Sequence, residues 1–272
     1  MNRDALLAVL RKDLLAVTRS RGVMIPIVLV PVVMLVLLPL LVTFAPQLGD
    51  LPSNTLSELQ TFLERAPAAL KTSVAGYGPA QQVAVLALVY FFAPLYLILP
   101  LMVSSVIAAD SFAGEKERKT LEALLYTPTS DRELFLAKAF SPWLAAVLIG
   151  LLGFAVYSVV GNLVAWNLLD RLLFPNWLWA ALALWLGPAV AALGLGVTVL
   201  VSARVNTFQE AMQLGGVIVL PVVALVIGQA TGVMYVSTGL VLLMGLVVWA
   251  FNALVLTLAF RLFRRDNLAS RL

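Results

Sequence analysis

The side chains with which this chain could do chemistry are concentrated in one short stretch. Acids and bases alternate there and are followed by a hydroxyl, a leucine and a further acid: Glu115, Lys116, Glu117, Arg118, Lys119, Thr120, Leu121 and Glu122. From Gly114 to Thr120 the stretch superficially resembles a phosphate-binding loop. That loop requires a glycine directly before its lysine, whereas Arg118 stands before Lys119. We therefore expect no nucleotide to bind to this chain.

The sequence also lacks the residues that other forms of catalysis require. The sequence has no cysteine and no histidine, which excludes thiol nucleophiles, disulfides, Cys/His metal sites and imidazole acid–base chemistry. No Asp, Glu, Lys or Arg lies at the centre of a long apolar run, where ion-driven carriers commonly place such residues. We expect neither an enzyme nor an ion-coupled carrier, and no metal site.

The elements that must position the charged stretch are long apolar runs. The chain is 62% hydrophobic and only 12% charged, whereas about 25% of residues are charged in soluble domains. A bilayer-spanning helix needs about 20 apolar residues, and six runs satisfy this requirement. We predict an all-α membrane protein, one domain over 1–272, with transmembrane helices at about 23–45, 83–109, 140–166, 177–201, 214–235 and 238–260.

Several of these runs contain prolines, for example Pro94 and Pro188. Transmembrane helices tolerate proline because neighbouring helices can satisfy the backbone groups that it frees. Only Val236 and Ser237 separate the fifth run from the sixth, so 230–240 forms either a hairpin or a short re-entrant element. The sequence leaves both open.

The basic residues indicate the orientation of the chain. They lie at the ends of apolar runs, which is the pattern of membrane topology rather than of a nucleic-acid-binding surface. With the N-terminus inside, only three of the 18 basic residues fall in outer loops, namely Arg65, Lys71 and Arg171. This bias predicts a multi-pass inner-membrane protein with both termini in the cytoplasm.

Two helices are predicted outside the spans. Residues 2–21 are amphipathic and would lie in the membrane interface, unless they simply continue into the first span. The outer segment 46–80 is polar, and its apolar residues at helical spacing predict a short surface helix that ends before Pro67: Leu56, Leu59, Leu63 and Ala66.

The charged stretch itself is predicted to be a solvated helix. Glu115 with Lys119, and Arg118 with Glu122, are opposite charges four residues apart. Thr127-Pro128 would end this helix, and Ser130 with a glutamate three residues later would cap the next one. Such a segment could dock in a cleft of a cytoplasmic partner, or it could be a solvated loop that merely obeys the positive-inside bias.

A few polar and small residues fall within the fifth and sixth runs. The amides are Gln213, Gln229 and Asn252, and buried amides in membranes join helices more often than they bind substrates. Gly228 and Gly232 form G-x-x-x-G, which is typical of a close helix contact. We treat these five residues as candidates for either a helix contact or a translocation path.

Residues 110–138 also resemble a known family. Their sequence, D-S-F-A-G-E-K-E-R-K-T-L-E-A-L-L-Y-T-P-T-S-D-R-E-L-F-L-A-K, is similar to the signature of ABC-2 type transporter permeases. Weaker similarity covers residues 12–26 and 202–211. The standalone permeases of bacterial exporters, including those that extrude sodium or drugs, are the most similar members. The outer segment of about 35 residues is shorter than the large domain that some relatives insert, which leaves docking to outer-membrane partners in doubt.

The resemblance implies a function and its partners. It implies a six-helix permease half that pairs with a second permease chain, identical or different, and binds two cytoplasmic ATPase subunits that hold ATP and Mg. It further implies that segment 111–125 couples the permease to those subunits, a role that we carry onto residues 115–122. The cargo would be an ion or an apolar or amphipathic compound, and the apolar runs favour the latter. The alternative is a membrane scaffold that binds an ATPase without transporting.

Overall fold

The computed structural model describes residues 21–44, 53–120, 130–232 and 234–262. Within these ranges the chain forms helices and no strands. We label the helices α1 (21–44), α2 (Ser53–Arg65), α3 (Ala68–Val74), α4 (Pro79–Glu117), α5 (Asp131–Leu169), α6 (Trp177–Ser202), α7 (Phe208–Ala230) and α8 (Thr238–Leu262). The predicted interface helix over 2–21 lies outside the described residues except for Arg21, and so do Leu121 and Glu122.

Six of these helices are long and apolar enough to cross a membrane: α1, α4, α5, α6, α7 and α8. This confirms the prediction of an all-α, six-span membrane protein. The helices α4 and α5 contain 39 residues each. At about 1.5 Å per residue they are far longer than the hydrocarbon core of about 30 Å, so both continue into a polar region. Hydropathy located their apolar parts, 83–109 and 140–166, but not their charged ends.

The fifth span is displaced from its predicted position of 214–235. It begins at Phe208, after Thr207, whose hydroxyl accepts a hydrogen bond from the N–H of Glu210 at 3.2 Å. It ends at Ala230, and Gly232 follows with a left-handed φ of 74°. A connection over 231–237 then leads to α8, and its described residues are non-helical and contain no re-entrant helix.

The helices α4 and α6 form the centre of the bundle. Their most apolar windows are 56% and 61% buried, against 17% for both α1 and α7. The helix α6 packs against α4, α5, α8 and the start of α7, while α1 packs against α4 and α5. The helix α7 lies along α4, so the second and fifth spans are neighbours. Because α1 and α7 are mostly uncovered, large apolar faces remain available to lipid or to another chain.

Aromatic side chains fill the core between α4, α5 and α6. Trp179 is fully buried and stacks on Tyr157 with ring centroids 4.2 Å apart, and Phe174 packs edge-on against both rings. The polar atoms of this core are paired with the backbone of α4. The Tyr157 hydroxyl donates to the carbonyl of Leu88 at 2.6 Å, and the Trp179 indole N–H donates to that of Val89 at 2.9 Å.

These two carbonyls lie in a π-helical stretch of α4, Leu86–Phe91. Pro94 follows it and has no N–H with which to close the helix onto the carbonyls four or five residues earlier. Since no water is present in the bilayer core, neighbouring side chains must provide the missing donors. The indole of Trp179 provides such a donor for the Val89 carbonyl, five residues before Pro94, and the Tyr157 hydroxyl adds a second bond between helices at Leu88.

The two ends of the bundle differ. One end, which we call the short-helix face, carries α2, α3 and the connections 170–176 and 231–237. The prediction of a surface helix ending before Pro67 is confirmed by α2. The opposite end, which we call the ion-pair face, carries the last residues of α4, the start of α5 and the connection 203–207.

Candidate functional site

The charged stretch on the ion-pair face is folded back against the bundle. The helix α4 passes through a π-helical turn, Asp110–Gly114, and ends at Glu117. The N–H of Thr120 donates to the carbonyl of Glu115 at 2.9 Å, and Lys119 has a left-handed φ of 57°. These are the features of a Schellman motif, with a lysine where glycine is usual. The prediction of a helix continuing through residues 115–122 is therefore wrong.

A buried ion pair joins the end of α4 to the start of α5. Nζ of Lys138 lies 2.7 Å from a carboxylate oxygen of Glu115, and their side chains are 0% and 6% exposed. The ammonium also donates to the carbonyl of Ser111 at 2.8 Å and lies over the Phe112 ring. The prediction that Glu115 is a solvated charge is wrong, because the residue is buried between two spans.

Sequence reasoning assigned no role to Lys138. The residue closes the segment that resembles the permease signature, so the signal was present in the sequence. However, Lys138 lies 23 positions from Glu115. Helical periodicity detects pairs three or four residues apart and does not reach this distance.

A second ion pair lies directly beside Gly114. Arg118 lies 3.0 Å from a carboxylate oxygen of Asp110 and also donates to that residue's backbone carbonyl. A Cβ on Gly114 would lie 3.0 Å from the same carboxylate oxygen and 3.2 Å from the guanidinium. A side chain at this position would therefore crowd the pair. We call Asp110, Glu115, Arg118 and Lys138 the ion-pair cluster.

The same stretch is bonded to the connection between α6 and α7. Nζ of Lys116 donates to the carbonyl of Val205 at 3.2 Å, and the carboxylate of Glu117 accepts from the N–H of Phe208 at 2.9 Å. Phe208 begins α7, where a negative charge is favoured by the helix dipole. The end of α4 is thus bonded to α5 and to the α6–α7 connection at once.

Some of the predicted coupling residues remain exposed to solvent. Glu117, Arg118, Lys119 and Thr120 are exposed, Lys116 is half-buried and Glu115 is buried. Exposed charged and polar side chains of α5 and of the α6–α7 connection lie on the same face: Arg132, Asn206, Gln209 and Glu210. This surface carries charges of both signs. It could bind a protein partner while the ion-pair cluster beneath it holds the spans together.

The remaining candidates have different surroundings. Asn252 is 1% exposed and donates from Nδ2 to the carbonyl of Ala189 at 2.7 Å, so it joins α8 to α6. Gln213 is exposed on α7, whereas Gln229 is buried in the last turn of that helix. No described contact places any of these amides in a path between chains.

The interpretation of Gly228 and Gly232 as one helix-contact face is corrected. Gly232 lies beyond the end of α7, and its N–H donates to the carbonyl of Gln229 at 3.1 Å. A Cβ on Gly228 would lie 3.1 Å from the Met234 sulfur in the connection that follows. The two glycines allow the chain to turn after α7. They do not form a surface for another helix.

Comparison with known proteins gives one match. A family model described as ABC-2 family transporter protein matches residues 7–250, which covers most of the chain and includes the whole ion-pair face. No curated protein and no solved structure matches the chain significantly.

Proposed function

The chain belongs to the ABC-2 family of transporter proteins, and from this premise we propose that it is the transmembrane permease subunit of an ATP-driven exporter. In this proposal a separate cytoplasmic ATPase binds and hydrolyses ATP with Mg, and the chain forms part of the translocation path. Two ATPase subunits and a second permease chain, identical or different, complete the assembly. The uncovered apolar faces of α1 and α7 are compatible with a second chain.

The observation that carries the proposal is the bonding of the charged stretch to several spans. A force applied to residues 116–120 reaches α5 through Glu115 and Lys138. It reaches the start of α7 through Glu117 and Phe208. Because buried ion pairs and packed helices resist local deformation, a partner that moves this surface moves the spans with it. Residues 115–122 would then act as the coupling element, with the more exposed side chains in contact with the ATPase.

The proposal also fixes an orientation. The ion-pair face lies in the cytoplasm, where ATP is available, and the short-helix face lies outside. Both termini are then cytoplasmic, in agreement with the distribution of basic residues. The membrane is the inner membrane of a bacterium.

We infer an apolar or amphipathic compound as the cargo, rather than a bare ion. The faces that α1 and α7 leave uncovered consist mainly of aliphatic side chains, among them Val28, Leu29, Leu220 and Val223. A bare cation requires several oxygen ligands at one place, which a mainly aliphatic surface does not favour.

The coupling assignment is tested by reversing an exposed charge. In Lys119→Glu, an exposed cation on the proposed docking surface becomes an anion, while the ion-pair cluster keeps all its members. We expect the affinity for the ATPase to fall about fivefold, since exposed charge pairs contribute modestly to association. The measurement is co-purification with the ATPase from native membranes, followed by ATP turnover in nanodiscs.

The matched control is Lys71→Glu, which makes the same reversal on the short-helix face, where Lys71 is also exposed. It should leave both readouts unchanged. Equal behaviour of the two variants would contradict the coupling assignment. The scaffold alternative differs in a further respect, because it predicts that ATP turnover does not respond to any lipophilic compound. Stimulation by sodium alone would reject the amphipathic cargo.

A further inference from the structure

A cavity of about 400 Å³ lies on the short-helix face, beneath α2. Its walls come from α2, α3, α4, the end of α7 and the α7–α8 connection, and they include the side chains of Leu59, Phe62, Tyr90, Phe91, Met234 and Tyr235. The volume is within the range of sites that bind small molecules, and the walls are mainly aromatic and aliphatic. Among the described residues, none that lines the cavity is charged.

One lining residue brings an unsatisfied polar group to this cavity. Gln229, in the last turn of α7, is 5% exposed and lines the cavity, and its Oε1 has no hydrogen-bond partner among the described residues. The oxygen itself is buried, so the side chain must rotate to turn it toward the cavity. A buried amide oxygen without a donor is unfavourable, since it has lost water and gained nothing in return. A ligand that brings an N–H or O–H to this oxygen would remove the penalty.

Two tyrosines form one side of the cavity. The rings of Tyr90 and Tyr235 lie 5.5 Å apart at 44°, and both residues also line a second cavity of about 470 Å³. That second cavity contains polar side chains, including Arg171, Asn176 and Ser237. The tyrosines therefore lie between an apolar cavity and a polar one. Their rings offer faces and edges on which a flat aromatic molecule can pack.

We propose that the cavity beneath α2 binds an uncharged aromatic molecule that donates one hydrogen bond to Gln229. The aromatic lining selects a flat apolar body, the absence of charged lining residues selects a neutral one, and the amide oxygen selects a donor. Binding of such a molecule does not require that the protein transports anything. The interpretation of the cavity as a site for cargo on the outer side rests on the proposed function.

The test uses the natural lack of cysteine in the sequence. Ala87→Cys places a thiol in the wall of the cavity, and Ala75→Cys places one on the exposed turn after α3 of the same face. The probe is N-phenyl-1-naphthylamine, which is neutral and aromatic and carries one N–H. In nanodiscs without ATPase, the probe should slow the reaction of N-ethylmaleimide at position 87 at least about threefold and leave position 75 unaffected, because a ligand that fills a concave site covers its wall.

The role of the amide is tested in two independent ways. Gln229→Leu in the Ala87→Cys background should weaken protection about three- to tenfold in probe concentration, as expected for one neutral hydrogen bond. The N-methylated probe, which has no N–H, should show the same weakening on the unsubstituted Gln229 chain. This second arm needs no change at Gln229, so it remains informative if Gln229→Leu fails to fold.

The outcomes are distinct. Equal labelling rates with and without probe at position 87, or equal slowing at both cysteines, would overturn the proposed site. Equal protection by the two probes would overturn the role of Gln229. Loss of protection together with intact stimulation of ATP turnover by lipophilic compounds would reject this cavity alone. Protection without any stimulation would reject the transport function and keep the binding site.

Discussion

Lys138 is the residue whose surroundings constrain the ion-pair face most. Its ammonium is fully buried and is held by a carboxylate, a carbonyl and an aromatic ring. A buried charge is tolerated only when such partners replace its hydration. Glu115 was predicted to be a solvated member of a docking helix, yet it is one of these partners. Among the described coupling residues, the charges that a partner protein can reach are therefore those of Glu117, Arg118 and Lys119, which are exposed.

The buried Glu115–Lys138 pair leads to a prediction about the stability of single-residue variants. Lys138→Met keeps the length of the side chain but removes the Lys138 ammonium from the buried carboxylate of Glu115, so we expect a loss of about 3–5 kcal/mol in stability. Adding Glu115→Leu should recover most of the loss, because an apolar pair of similar volume needs no hydration. Thermal or chemical unfolding in detergent measures both. A Lys138→Met variant as stable as the exposed control Arg132→Met would show that the pair does not hold α4 to α5.

At the scale of elements, the irregular course of α4 depends on donors from its neighbours. The hydroxyl of Tyr157 serves the carbonyl of Leu88 in the π-helical stretch before Pro94. The bond joins the two helices in their halves nearer the short-helix face. The buried Glu115–Lys138 pair joins the same two helices at the ion-pair face, so they are connected at two depths.

Removing this donor should destabilise the bundle. Tyr157→Phe leaves the carbonyl of Leu88 without its hydroxyl partner in a buried place, and we expect a loss of about 1–3 kcal/mol. Tyr77→Phe is the matched control, since the Tyr77 hydroxyl is buried and has no hydrogen-bond partner within the described residues. That control should be neutral or slightly stabilising. If unfolding measurements gave equal effects for the two variants, the bond would not support α4.

The elements also show what the sequence could and could not predict. The six spans, the helix before Pro67 and the Ser130–Glu133 capping box follow from hydropathy and local spacing, and the structure contains all three. The contacts of the charged residues could not be predicted, because they depend on how separate helices pack. Gly232 illustrates the same limit, since a glycine of a G-x-x-x-G pattern lies beyond the end of α7 and has a positive φ.

At the scale of the whole molecule, the two faces serve different tasks in the proposed function. In that proposal the ion-pair face binds the ATPase, whereas the short-helix face contains the cavity beneath α2. The central helices α4 and α6 extend from one face to the other. A displacement of the ion-pair face therefore has a continuous, well-packed connection to the opposite side of the membrane.

The orientation of these faces is directly testable in the cysteine-free chain. Ala75→Cys on the short-helix face should react with a membrane-impermeant maleimide in intact spheroplasts. Arg132→Cys on the ion-pair face, where Arg132 is exposed, should react only after permeabilisation. The opposite pattern would place the charged stretch outside the cell and remove the basis for coupling to a cytoplasmic ATPase.

The buried pair between α4 and α5 has a consequence for how the protein is made. Its two members belong to consecutive spans. The pair can therefore form once α4 and α5 are inserted, without a residue from α6, α7 or α8. If the second and third spans of a nascent chain inserted out of register, the charges of Glu115 and Lys138 would face lipid without each other. Proteolytic quality control could recognise this defect. We therefore expect the pair to favour the correct register of the second and third spans during membrane insertion.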